Sequence, residues 1–334
     1  NIIMKAVKVT TPGPVDVLQV VDDFPVPQPR EHDVVVDVKA IGVNPIDYKA
    51  RDGMFGPKEI VGYDVAGIVS AVGSAVTRFK VGDEVYAAGD INRPGSYAEK
   101  TALDERVVAL KPKRLSFAEA AALPLTALTA FEAYEEQFHL QDAKAPATLL
   151  VFAGAGGVGS IAIQLAKVFF PAVTVVATAS RPETVEFARK QGADHVISHR
   201  GSIKEQSAAV GIAGYDYILA TVGIDDQAHF DSLVDVLNPF GHISSILPPG
   251  TPLQLGALFI KRASLHFELM FSRSWTGIGI ERQGDILTRI AEKVDQGLIH
   301  STLTSTLNLW KDHKEAQEQQ ASGTVIGKIV LLNE

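Results

Sequence analysis

The chain contains no cysteine. Disulfides, thiol nucleophiles and thiolate metal sites are therefore excluded at the outset. It also lacks a basic tract: 31 Lys and Arg stand against 39 Asp and Glu, for a formal net charge of −8. Nucleic acid and an anionic membrane surface are thus not expected as partners. No stretch approaches the roughly 18 apolar residues of a membrane-spanning helix. Asn1 to Val9 has neither the charged start nor the long apolar run of a secretory signal. A cytoplasmic protein is expected. Internal repeats and low-complexity tracts are missing as well. What remains is 334 residues, 46% hydrophobic and 21% charged, enough for two domains with their own cores.

One stretch organises the rest. Thr148 to Phe152 is an unbroken apolar run, which suits a strand buried on both faces of a parallel sheet. It breaks into Gly154-Ala-Gly156-Gly157-Val158-Gly159, which fits G-x-G-x-x-G. Ser160 to Phe170 then carries Ile161, Leu165 and Val168 at helical spacing. Strand, glycine turn and helix follow in the order a dinucleotide site needs. Gly154 is read as allowing the tight turn, Gly156 as letting the backbone approach a pyrophosphate, and Gly159 as letting helix pack on strand. The helix N-terminus offers unpaired N–H groups to the phosphates.

The following residues repeat the pattern. Val173 to Ala177 reads as a strand, Pro182 to Gly192 as a helix and His195 to Ile197 as a third strand. Gly214 to Ala220 and Gly241 to Leu247 read as two more, with a helix over Gln227 to Leu237 between them. Such a run of βαβ units predicts an α/β fold with a doubly wound parallel sheet. Thr221 and Gly223, and then Ser245 and Ile246, fall at the carboxyl ends of their strands, where open α/β sheets bind ligands.

The cofactor is read at the end of the second strand. An NAD site carries Asp or Glu there, about 20 residues past the glycines. Here the strand ends Ala177-Thr-Ala-Ser180-Arg181, with no acid. Ser180 can donate to a ribose 2′-phosphate and Arg181 can pair with it. NADPH is the expected cofactor. Arg181 would otherwise be a solvated residue ahead of a helix with Pro182 in its first turn.

The flanks differ in character. Met4 to Thr10, Val17 to Pro29, His32 to Ile41, Val65 to Val72 and Glu84 to Ala88 read as short strands between glycine-punctuated turns. His32 to Ile41 is expected to be half-buried, since Val34, Val36, Val38 and Ala40 alternate. Leu115 to Tyr134 turns helical, and a domain boundary is placed near residue 122. After Leu247 come a strand over Leu265 to Phe271, helices over Gly284 to Gln296 and Trp310 to Ala321, and a closing strand, Lys328 to Leu332.

Together these residues resemble the medium-chain dehydrogenase/reductase superfamily, in its zinc-independent quinone oxidoreductase-like branch. The marks are Gly42-Val-Asn44-Pro-Ile-Asp47, Gly62-Tyr-Asp64-Val-Ala-Gly67, Val81-Gly-Asp-Glu-Val85, Gly95-Ser-Tyr-Ala-Glu99, Ala121-Ala-Leu-Pro124, Ala153 to Gly159 and Gly327-Lys-Ile-Val330. They run the length of the chain, and the nearest subgroup is often labelled zinc-type alcohol dehydrogenase-like. The resemblance implies a β-rich GroES-like catalytic domain, residues 1–122 and 270–334. A Rossmann NADPH-binding domain, 123–269, is inserted into it, with a cleft between the two and a homodimer formed across Rossmann edges.

Metal-using relatives hold zinc through a cysteine, a Gly-His-Glu histidine and a second cysteine. The matching positions here are Asn44, Tyr63 and the apolar segment around Leu125, so no zinc ligand set is present and no metal is expected. Without that Lewis acid, plain alcohol oxidation gives way to hydride delivery onto an acceptor already electrophilic, a quinone or an enone. The catalytic candidates are Asn44, Asp47 and Tyr63. Asn44 would donate to an enolate oxygen or hold the nicotinamide ribose. Tyr63 would donate a proton or hydrogen bond, or else simply fill the vacated metal space. Tyr48 would suit the same role, or else is plain packing. Thr129 resembles a family position near the nicotinamide amide, and is otherwise an ordinary helix residue. Lys328 is read as a phosphate contact or a surface lysine, and Arg273 as a phosphate or carboxylate contact or a surface residue. Two other readings stand beside this one: a zinc-type alcohol dehydrogenase, and an NADPH-binding sensor without turnover.

Overall fold

The computed structural model describes residues 2–334. The chain divides into two compact units: residues 1–125 with 271–334, and residues 126–270. The divisions lie three residues and one residue beyond the positions read from the sequence. The first falls where it does because the helix Pro124–Glu132 opens inside the first unit, and the Leu125 N–H donates to the Asp64 carboxylate there, at 2.8 Å.

The second unit is built on six parallel strands. Their spatial order is His195–Ile197, Val173–Thr178, Ala147–Val151, Tyr215–Ala220, Leu237–Ser245 and Ser264–Phe267. The order reverses between Ala147–Val151 and Tyr215–Ala220, which is the switch point where such sheets bind ligands. Leu149, Leu150 and Val151 are fully buried, as a central parallel strand requires. Helices Gly157–Phe169, Pro182–Lys190, Ile203–Ala209 and Gln227–Val236 connect the strands. Ile203–Ala209 escapes the sequence reading; Ser202 caps it by accepting from the Glu205 N–H at 3.1 Å. The expected strand Leu265 to Phe271 stops at Phe267. Its pairing with Leu237–Ser245 runs out there, and Phe271 belongs to the other unit.

The first unit carries a seven-stranded sheet. Along one path the order is Leu303–Asn308, Lys328–Leu332, Asp33–Gly42, Val65–Val72, Glu84–Ala87 and Val108–Leu110, and Lys100–Asp104 also pairs with Asp33–Gly42. The central strand Asp33–Gly42 is buried on both faces except at Asp37 and Lys39, not half-buried as its alternation implied. Val35 and Ile41, which point to the face opposite Val34, Val36 and Val38, are 2% and 0% exposed, so packed structure covers both faces. Its last residues lead into the short helix Pro45–Arg51. The Asp47 carboxylate closes the start of that helix by accepting from the Asn44 N–H at 2.9 Å.

Candidate active and cofactor sites

In the second unit, the glycine turn is held against the neighbouring strand. The Ala153 N–H donates to Thr178 Oγ1 and the Gly154 N–H to Thr178 O, both at 2.8 Å. The left-handed backbone of the turn sits at Ala153, φ +56°, not at Gly154. Gly154 is needed for packing instead: a Cβ there would lie 2.7 Å from Ala177 Cβ. At Gly159 a Cβ would lie 2.1 Å from the Ala153 carbonyl oxygen, so helix and turn touch through it. Gly156 is different. A Cβ there would meet nothing closer than 3.4 Å, so the protein's own packing leaves the space above the helix N-terminus open. Gly157 and Val158 form the first turn of that helix, where backbone N–H groups have no intrahelical acceptor. These residues fit a bound pyrophosphate.

At the end of Val173–Thr178, Ser180 Oγ shares a hydrogen bond with Ser198 Oγ at 2.7 Å and accepts the His199 N–H at 3.2 Å. Arg181 is exposed, with Glu183 at 3.2 Å. Such an exposed pair is worth little and leaves the guanidinium free to turn. The register that sets Ile197 beside Thr178 also brings Ser198 and His199 next to Ser180, and the Arg200 N–H donates to Ser198 Oγ at 3.0 Å. Arg200 is exposed, a second cation that the sequence reading missed. The parallel pairing of consecutive strands was the signal that could have found it.

The remaining cofactor candidates of this unit gather mostly at the same carboxyl edge. The Thr221 hydroxyl donates to the Phe152 carbonyl, tying the fourth strand of the chain's βαβ run to the glycine turn. Gly223 turns with φ +80°. Ser245 Oγ donates to Leu247 O at 2.7 Å, and Ile246 is half-buried beside it. Thr129 is buried within the helix Pro124–Glu132.

In the first unit, Lys328, Asn44, Asp64 and Asp47 form one buried polar cluster. Lys328 is 2% exposed, and its ammonium donates to Val43 O at 2.6 Å and to Asn44 Oδ1 at 2.5 Å. Asn44 Nδ2 in turn donates to Asp64 Oδ2 at 2.8 Å and to Gly42 O at 3.3 Å. Asp64 Oδ1 accepts the Leu125 N–H. Burial pushes the Asp64 carboxyl up to about 6, with Lys328, the Asn44 amide and the Leu125 N–H holding it back. Burial likewise raises Asp47, against its bond from the Asn44 N–H and the Lys328 charge. The same burial lowers Lys328, and the two carboxylates oppose that.

These placements revise two expectations. Lys328 is not a surface lysine; its ammonium is enclosed, and its charge acts on the buried Asp64 and Asp47 carboxylates. Asn44 is 1% exposed and both its amide hydrogens are committed to protein acceptors, so it is a link in this cluster and not an open donor. Asp47 lies in the same cluster, with Oδ2 facing the Tyr97 hydroxyl at 3.5 Å and Oδ1 without a partner.

Tyr63 stands apart. It is 1% exposed, packs edge-to-face on Phe271 at 5.3 Å, and its hydroxyl is buried with no hydrogen-bond partner. It lines a narrow crevice with Asp90, Pro94 and Ser96. Burial, then the charges of Asp47 and Asp90, raise its phenol well above the ordinary value.

Residues 30–113 match the family described as the alcohol dehydrogenase GroES-like domain, and 191–331 the one described as zinc-binding dehydrogenase. The zinc-type alcohol dehydrogenase-like protein of Staphylococcus epidermidis is 35% identical over 318 residues, 92% of this chain and 93% of its own length. The chain belongs to the medium-chain dehydrogenase/reductase superfamily, in its quinone oxidoreductase-like branch. The NADPH-dependent alkenal/one oxidoreductase of Arabidopsis thaliana is 39% identical over 262 residues, 74% of this chain and 64% of that protein. A mycobacterial quinone oxidoreductase superposes with a TM-score of 0.81 at 28% identity, over 99% of this chain and 100% of that one.

Zinc does not fit the residues this superfamily member carries. The Asn44 amide is saturated, and both oxygens of Asp64 already accept hydrogen bonds. The Lys328 ammonium occupies the place of positive charge beside them. Among the described residues no three His, Cys, Asp or Glu side chains gather as a metal site.

Proposed function

We propose that this oxidoreductase uses NADPH to reduce a quinone, or the β-carbon of an enone, without a metal. The observation that carries the reading is the Tyr63 hydroxyl, buried and unpartnered at the position where metal-using relatives place a ligand. A buried hydroxyl lacking a partner is costly and calls for a ligand atom. Its raised pKa keeps the phenol protonated at neutral pH, so it donates and does not act as a base. NADPH, when bound, supplies the hydride. Gly156, Gly157 and Val158 would hold its pyrophosphate, and Ser180 and Arg181 its 2′-phosphate, where no carboxylate belongs to the strand end. Tyr63 would donate to the carbonyl oxygen as negative charge develops there. The Lys328–Asn44–Asp64–Asp47 cluster holds the backbone around Tyr63 and carries no proton to substrate.

A homodimer is part of the same reading. Ser264–Phe267 is an edge strand of the parallel sheet, and Phe259, 86% exposed, with Ile260 and Phe267, leaves that edge apolar.

The test is NADPH oxidation with EDTA present, against a benzoquinone, a naphthoquinone, an enone and a simple aldehyde, with NADH as control. Turnover of the quinones or the enone with NADPH preferred is expected. Tyr63→Phe, which keeps the ring, should lower kcat by about 10². EDTA-sensitive aldehyde turnover would replace this reading with zinc chemistry. Tight NADPH binding with no turnover would favour a sensor.

A further inference from the structure

Two aromatic contacts of the first unit are carried by one short helix, Phe271 at its start and Trp275 one turn on, where i and i+4 side chains share a face. Tyr63 packs on Phe271, and one helical turn later the Trp275 N–H donates to Phe271 O at 2.8 Å. The Trp275 ring meets Phe55 edge-to-face, with centroids 5.1 Å apart. The helix therefore links the ring of the buried Tyr63, through Phe271, to Trp275, which is 50% exposed. Trp275 thus offers an open ring face beside Phe55.

Both ends of the rim are fixed. Asn92 Nδ2 donates to Ser274 O at 2.6 Å, pinning the turn that presents Trp275 to the loop behind the Tyr63 crevice. Phe55 is held at φ +64°, between Gly53 at +109° and Gly56 at +87°. A bulky non-glycine residue in that region is strained, and such strain concentrates where ligands are gripped.

We infer that Trp275 and Phe55 form a stacking rim that selects planar, ring-bearing acceptors, fused-ring quinones and aryl enones, over short aliphatic enones. The inference rests on the proposed reduction at Tyr63 and names its substrate class. A planar conjugated ring has a face to lay on indole; methyl vinyl ketone does not. Aromatic stacking of this kind corresponds to about a tenfold effect on affinity.

The test compares 1,4-naphthoquinone with methyl vinyl ketone in Trp275→Leu, Trp275→Phe and Phe55→Leu. Trp275→Leu and Phe55→Leu should raise the KM for naphthoquinone about tenfold, with little change for methyl vinyl ketone or NADPH. Trp275→Phe should recover most of the loss. Equal effects on both acceptors, or none, would overturn the rim. Binding is read separately by tryptophan fluorescence with NADP+ present. The chain has two tryptophans, so Trp275→Leu leaves only Trp310 as the reporter. Saturable quenching by naphthoquinone that disappears in Trp275→Leu supports the rim even if no acceptor turns over, an outcome that would sink the reductase reading alone. Quenching unchanged in that variant overturns the rim.

Discussion

The Lys328 ammonium and the Asn44 amide oxygen, 284 positions apart, are joined at 2.5 Å inside the first unit. That bond fixes the amide so that its nitrogen faces Asp64. A lysine is here the counter-charge of two enclosed carboxylates. Replacing it with Met keeps the stem and removes the charge. Removing the ammonium leaves the buried Val43 O and Asn44 Oδ1 without their donor, at about 1–3 kcal/mol for each unsatisfied group. Lys328→Met should therefore move the urea midpoint down by that equivalent; an unchanged midpoint would show that the cluster tolerates an uncompensated acid.

The two glycines flanking the helix start should separate folding from binding. Gly156→Ala meets no contact under 3.4 Å and should melt near the wild-type temperature. Its affinity for NADPH should nonetheless fall at least about tenfold, since a methyl would stand where the phosphates approach. Gly159→Ala would press on the Ala153 carbonyl and should lower the melting temperature outright. Thermal melts and NADPH fluorescence titration check both.

Arg181 and Arg200 bear on cofactor choice. Each Arg→Ala change should raise the KM for NADPH by roughly tenfold, as loss of a charge-assisted hydrogen bond does. The KM for NADH should stay put. A parallel rise for both cofactors would mean that these arginines serve the fold and not the 2′-phosphate.

The Asp64 carboxyl predicts a pH trend. Burial lifts it from 3.8 to about 6 in the folded chain. The native state therefore holds a proton that the unfolded chain releases in that window. This contribution to stability is complete below about pH 4 and is lost as pH rises through about 6. Asp64→Asn cannot titrate. The stability gap between wild type and variant should shift against wild type between pH 5 and pH 7.5, by denaturation midpoints; parallel curves would contradict the raised value.

Much of the second unit was legible because its signals are local. The apolar run of Thr148 to Phe152 and the glycines after it announce strand, turn and helix within a few residues. The details were not local. The left-handed residue of the turn is Ala153, while Gly154 serves the packing against Ala177, a division of labour that the spacing of the glycines does not encode. The helix Pro45–Arg51 was readable and missed: Asn44-Pro45 with Asp47 three on is a helix start. The roles of Asn44 and Lys328 could not be read at all. Their meaning comes from a strand at the chain's end lying against one near its beginning, and no spacing rule spans that distance.

That same arrangement sets an order for synthesis. The strand Lys328–Leu332 lies inside the seven-stranded sheet, not at its rim. On the ribosome, residues 126–270 emerge whole and can close their own sheet early. The first 125 residues, although translated before them, must wait with a gap in their sheet and with Asp47 and Asp64 lacking their counter-charge. Their core closes only when Lys328–Leu332 arrives, so a ribosome stalled shortly before Lys328 would carry one finished unit and one open one.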